Sequence, residues 1–238
     1  MRLKRFLRLL VGLALLPAAW GCAVALADAV RAMPVPEDSI FPVGVLALLA
    51  GVVVYLAMWI AFPKPVRMYV LGHELTHAVW ALMFGARVSD LRVRDNGGSV
   101  KLSKSNILIT LAPYFFPFYT MIVVLVAVVT RLWVGRLPCP WAWMFLVGFT
   151  WCFHCCFTVQ SLMQHQPDIL EYGRVFSWAL IFIFNAVGIL VWITVTAPLP
   201  ARDAASSLVR RVSSAYCGVY GAARSGVAWI ADSMRSGG

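Results

Sequence analysis

Charge is scarce in this chain: Asp, Glu, Lys and Arg make up 13% of its 238 residues, against 61% hydrophobic ones. That shortage excludes an ordinary soluble domain, which must cover its surface with polar groups. Paired cysteine spacing is missing as well. Six cysteines are present, but WCFHCC (151–156) lacks the spacing of a structural zinc module. Cys22, Cys152, Cys155 and Cys156 lie inside apolar runs, where cysteine behaves as a small hydrophobe, so no disulfide framework follows. The net charge of +10 could suggest nucleic acid, but no basic and aromatic residues combine into a groove, so no nucleic-acid partner is expected. The basic residues instead sit between apolar runs and in the tail, where they orient loops and meet anionic lipid headgroups. Ionisable residues are almost absent from most apolar runs, which argues against an ion or metal transporter.

What the chain does have is apolar length. Mean hydropathy is +0.82, and several runs exceed the roughly 18 residues needed to cross a bilayer. The fold class expected is an all-α polytopic membrane protein with about six transmembrane helices and a small β-hairpin. The spans expected are 9–27, 40–62, 67–86, 106–130, 140–163 and 175–197. PVPEDS (34–39), PKP (63–65) and RLPCP (136–140) punctuate them, and Trp59, Trp133, Trp141 and Trp192 lie near span ends, where indoles favour the headgroup zone. The basic, then apolar, opening also resembles a signal peptide. Trp20 is too bulky for a lipoprotein site at Cys22, and the run from Leu9 to Ala27 is long enough to stay as a first helix.

The segment ARVSDLRVRDNGGSVKLSK (86–104) differs. Val88, Leu91 and Val93, then Val100 and Leu102, alternate with polar residues around Asp95-Asn96-Gly97-Gly98, which predicts a β-hairpin. Backbone of that kind at membrane depth needs protein or water beside it, so the hairpin lies at the surface or dips into a lined cavity. In the tail, Leu208, Val212, Tyr216, Val219, Ala223, Val227 and Ile230 recur at helical steps, predicting a basic amphipathic helix on the cytoplasmic leaflet or on a partner. Arg2, Lys4, Arg5 and Arg8 favour a cytoplasmic start; alternation then puts Lys64, Arg67, Arg131 and Arg136 inside. The hairpin disagrees, because Arg92, Arg94, Lys101 and Lys104 fall outside by the same parity.

The chemistry concentrates in LGHELTHAVW (71–80). In a helix His73 and His77 project from one face, one turn apart, so two imidazoles reach a single tetrahedral zinc ion. Glu74 is directed to the side, where it can take a proton from a water that the metal activates near neutral pH. An intramembrane glutamate beside two histidines costs several kcal/mol unless paired, which makes a functional site the default. The competing reading is structural hydrogen bonding between helices.

GHELTHAVWALMFGARVSDLRV followed by a glycine-rich hairpin resembles the site-2 protease family of intramembrane zinc metalloproteases. The resemblance covers roughly residues 66 to 175. It implies a membrane core with zinc held by two histidines and an aspartate, a glutamate general base, and a hairpin edge strand that holds the unwound substrate. On that pattern the metal ligands are His73, His77 and Asp168, with Glu74 catalytic; Asp168 follows Pro167 in QSLMQHQPDILEYGR (160–174). Gln166 stands where the family often has asparagine, and Ile169 where it has glycine. Helical rise gives a different third ligand. His77 lies about 18 Å from Pro65 and His154 about 21 Å from Pro140, at about 1.5 Å per residue, while Asp168 falls near the opposite face. His154 is therefore the alternative, with His165 a third candidate. Asn106 and Gln166 either support the metal ligands or bind substrate, or serve as a helix cap or an interhelical hydrogen bond, and Pro113 and Pro117 are expected to kink the fourth span.

The resulting division is 1–65, N-terminal transmembrane helices; 66–198, a metalloprotease-like membrane core; and 199–238, a basic amphipathic tail. The function expected is zinc-dependent hydrolysis of a peptide bond in a membrane-embedded protein, in a multi-pass protein of a bacterial inner membrane. The alternative is an inactive membrane scaffold or chaperone-like relative that keeps the fold.

Overall fold

The computed structural model describes residues 2–33, 43–94, 97–196 and 199–236. The PVPEDS break and the Asp95-Asn96 half of the predicted turn lie outside these residues. The chain is mostly helical, with one small antiparallel two-stranded sheet. In order come α1 (Arg2–Arg31), α2 (Val43–Ala61), α3 (Val66–Met83), β1 (Val88–Arg94), β2 (Gly97–Leu102), α4 (Ile107–Leu111), a 3-10 turn (Ala112–Tyr114), α5 (Phe118–Val134), α6 (Pro140–Met163), α7 (Pro167–Tyr172), α8 (Arg174–Thr196) and α9 (Ala201–Ser236).

Among the described residues four helices are long and apolar enough to cross a membrane: Leu3–Arg31, Val43–Ala61, Pro140–Met163 and Arg174–Val195. A fifth is reached only if Ile107–Tyr114 and Phe118–Val134, bent by 83° at their junction, are taken together. The expected six are not reached, for two physical reasons. The HExxH helix α3 is diluted by its own Arg67, His73, Glu74 and His77. The expected fourth span breaks where Pro113 enters the 3-10 turn and Pro117 caps α5, neither offering an N–H to a continuous helix.

The chain divides into two compact units. In the first (1–34 and 172–238), α1 packs with α8 and α9. The amphipathic α9 finds a partner in α1: Tyr216 donates to the Ala14 carbonyl at 2.7 Å, and the Arg211 guanidinium bonds Asp28 Oδ2 at 2.7 Å.

The second unit (35–171) holds the HExxH helix. Gly51 of α2 and Gly148 of α6 leave no room for a Cβ against the facing backbone, so small residues set the close approach that apolar surroundings alone would not drive. An aromatic seam continues from that crossing: Tyr55 meets Phe149 and Phe153 edge-on, Trp59 meets Phe157, and Tyr69 of α3 stacks on Phe157 at 4.5 Å. Thr120 and Thr150, 3.0 Å apart, bond α5 to α6. Ala81, Ala86 and Ile109 bury the end of α3 against the base of the hairpin, where Val88 and Leu102 pack. The hairpin pairs Val88 with Leu102 and Arg94 with Gly97, with an irregularity between Ser89 and Arg92. Asp90 sits there at φ 54°, a left-handed conformation that aspartate tolerates, and its carboxylate bonds Arg92 and Lys101.

Candidate metal centre

The i, i+4 spacing on α3 turns both histidines to one side, as the sequence pattern requires. Their Nε2 atoms stand 3.2 Å apart. Asp168 reaches them because α6 ends at Met163, Gln164 is extended, and α7 turns back with Asp168 in its first turn. Asp168 Oδ2 lies 3.2 Å from His73 Nε2 and 3.5 Å from His77 Nε2. Three potential ligand atoms therefore converge on one point.

The surrounding groups fix their orientation. His77 Nδ1 is 2.8 Å from the Ile109 carbonyl, which only accepts, so Nδ1 carries the hydrogen and Nε2 of the neutral ring presents a lone pair. His73 Nδ1 faces Tyr69 Oη at 3.4 Å, and that hydroxyl is held by Ser161 Oγ at 2.6 Å. Tyr114, fully buried, donates to Asp168 Oδ2 at 3.1 Å. Burial opposes ionisation of Asp168, but the hydrogen bonds and charge that His73 and His77 offer when protonated outweigh it and hold the carboxyl below the usual range. Lone-pair atoms so arranged demand a cation among them, whether a proton or a metal. Ligand bonds of about 2.0–2.2 Å at a tetrahedral angle would put ligand atoms about 3.3 Å apart, and 3.2, 3.2 and 3.5 Å are what these side chains offer. The donor set fits a metal ion.

The three residues open with Glu74 into one cavity of about 660 Å³, walled by Val70, by Gly97 to Val100 of the hairpin and by Gln166 and Pro167. Gly98 is required there: a Cβ would come within 2.6 Å of Glu74 Cγ. The sheet thus presses its glycine backbone directly on the glutamate side chain.

The alternative ligand His154 is placed elsewhere. It is buried on α6, and with His73, Gly72 and Phe153 it lines a separate cavity of about 20 Å³. Its Nε2 has no hydrogen-bond partner, and it is absent from the converging cluster. The depth comparison that favoured His154 assumed Pro65 and Pro140 to lie at one membrane face, whereas α6 runs antiparallel to α3. Its C-terminal Ser161, not its N-terminus, lies beside Tyr69, and Asp168 follows that end. His165 is exposed. Asn106 proves to be a helix cap, its side chain accepting from the Ile109 N–H at 2.9 Å. Gln166 lines the large cavity.

Sequence reasoning missed Tyr69, Ser161, Tyr114 and the Ile109 carbonyl. Tyr69 alone carried a signal, lying one turn before His73 on the same helix face. Compared with protein-family models, curated proteins and solved structures, the chain matches none.

Proposed function

We propose that this chain is a zinc-dependent intramembrane endopeptidase of the site-2 protease type, acting on a membrane-embedded protein in a bacterial inner membrane. The observation that carries it is the convergence of His73, His77 and Asp168 at tetrahedral-edge distances, with Glu74 opening into the same cavity. His73 and His77 would hold the ion through Nε2 and Asp168 through Oδ2. When bound, zinc supplies Lewis acidity that makes water a nucleophile near neutral pH. Glu74 accepts the proton released by that water and returns it to the departing amide nitrogen. Ile109 and the Tyr69–Ser161 pair keep the imidazoles oriented. Among the described residues β2 is paired along one edge, to β1, and Ser99, Val100 and Leu102 border the cavity. An extended substrate segment can add to the other edge by backbone hydrogen bonding.

The test is Glu74→Gln, which keeps all three ligand atoms. It should retain wild-type metal stoichiometry by elemental analysis while cleavage of a reconstituted membrane substrate falls by about 10²–10⁴-fold, the range of a general base. Cleavage at the wild-type rate would refute the mechanism. Stoichiometric metal without turnover of any membrane substrate by the native chain would favour the scaffold alternative.

A further inference from the structure

Helix direction within the second unit constrains how the chain crosses the bilayer. Along α2 and α6 the contacts advance together: Gly44 faces Met144, Tyr55 meets Phe149 and Phe153, Trp59 meets Phe157, and Lys64 reaches Gln160. These two helices, both long and apolar enough to span, are parallel. Two parallel spans require an odd number of crossings between them. Helix α3 supplies one. It starts after Lys64 at the C-terminal end of α6, with Tyr69 against Ser161 and Phe157, and descends until Ala81 packs with the hairpin base.

The bent α4–α5 segment must then not cross. It rises beside α3, with the Ile109 carbonyl at His77 and Tyr114 at His73, and turns at Phe115–Pro117. Helix α5 begins level with the middle of α6, where Tyr119 meets Phe153 and Thr120 meets Thr150. Its end is tied to the start of α6 by the 135–139 loop alone. So short a connection reaches about 20 Å at most, so α5 runs back down towards the start of α6. The hairpin dips from the same side, its base on Ala81 and its Gly98 against Val70 and Glu74.

We infer that the α4–α5 segment is re-entrant, so that the hairpin base and the α5–α6 loop emerge together on the cytoplasmic face while Lys64 emerges on the other. The charge distribution selects the face. Within this unit Arg87, Lys101, Lys104, Arg131 and Arg136 gather at the hairpin end, against Lys64 and Arg67 at the opposite end, with Arg92 and Arg94 along the hairpin towards its tip. Positive charge favours the cytoplasm; this reverses the placement of Lys64 and Arg67 that alternation from the N-terminus gives. This removes the conflict that strict alternation creates for Lys101 and Lys104, which lie towards the base of the hairpin. It also means that β2, which walls the cavity, is supplied from the cytoplasmic side.

The inference involves neither metal nor cleavage, so it stands or falls apart from the proposed activity. Cys139 is a native exposed reporter in the α5–α6 loop. Full-length wild type, Lys104→Cys and Lys64→Cys would be expressed in cells and treated with a membrane-impermeant maleimide that reaches only the outer face of the inner membrane. Treatment is repeated after permeabilisation, and modified residues are identified by peptide mass. Cys139 and Lys104→Cys should label only after permeabilisation, and Lys64→Cys before it. Cys139 labelling together with Lys64→Cys, and opposite to Lys104→Cys, would overturn re-entrance. Cys139 and Lys104→Cys both labelling before permeabilisation would overturn the cytoplasmic assignment. Phe62→Cys, exposed beside Lys64, replaces Lys64→Cys if that variant does not accumulate, and the wild-type Cys139 result requires no substitution.

Discussion

Replacing Tyr114 with phenylalanine removes its hydrogen bond to Asp168 at the candidate metal centre. The ring is fully buried beside His73, 5.4 Å between centroids, and phenylalanine refills that volume. What disappears is the hydroxyl that donates to Asp168 Oδ2 at 3.1 Å. A hydrogen bond to a charged acceptor is worth about 1.5–3 kcal/mol, which corresponds to roughly 10–100-fold in an equilibrium constant, the range found when partners of metal ligands are removed. Asp168 sits in the first turn of a six-residue helix, which by itself gives little rigidity, so the loss should fall on the carboxylate's preorganisation. Zinc affinity in detergent, measured by competition with a chromogenic chelator, should weaken about 10-fold or more in Tyr114→Phe. Stability of the metal-free protein to thermal unfolding should fall as well, since the same bond is present there, but by no more than about 1.5–3 kcal/mol because the buried aromatic volume is kept. Unchanged or tighter zinc binding would refute the idea that Tyr114 orients the ligand.

Three further outcomes follow from the same geometry. Gly98→Ala places a methyl group 2.6 Å from Glu74 Cγ and 2.7 Å from Val70 Cγ1, an overpacking that costs about 1–3 kcal/mol; unfolding should shift accordingly and cleavage should fall while zinc stoichiometry holds, and full activity would show that β2 does not seat on Glu74. His154→Leu should keep one zinc per chain and Asp168→Ala should lose it, a contrast that elemental analysis decides; the reverse result would return His154 to the ligand set. Lowering the pH should release metal, since protons compete for two imidazole nitrogens and a carboxylate; retention that improves on acidification would exclude this ligand set.

Much of the site was legible because its logic is local. His73, Glu74 and His77 share one helix, and the 3.6-residue period alone decides that the two imidazoles face together. The hairpin was legible from alternation and from the turn residues. That Asp168 joins the two histidines was legible only through chain order and the family resemblance: a ruler of rise per residue cannot know that α6 stops at Met163 and that the chain folds back. Tyr114 left no trace, because its link to Asp168 spans 54 residues and depends on the bend at Pro113 and Pro117. The linear division of the chain likewise could not show that α1 packs with α9, a pairing set by Gly21 lying against Val212 and by Asp28 meeting Arg211.

The breakdown of simple span counting has the same origin as the candidate chemistry. With Arg67, two histidines and a glutamate, α3 falls outside the helices counted as spans by length and composition, although the topology inferred above has it cross, and its polar groups must be met by something other than lipid. The Ile109 carbonyl meets His77, and the Gly98 backbone packs closely beside the Glu74 side chain. Both come from segments that are not transmembrane helices, the short α4 and the hairpin, and such backbone survives at membrane depth only where it lines a protein cavity. The bent α4–α5 segment and the hairpin are therefore not irregularities beside the cluster. They are the means by which a polar cavity of about 660 Å³ is kept open next to helices whose outer faces are built for lipid.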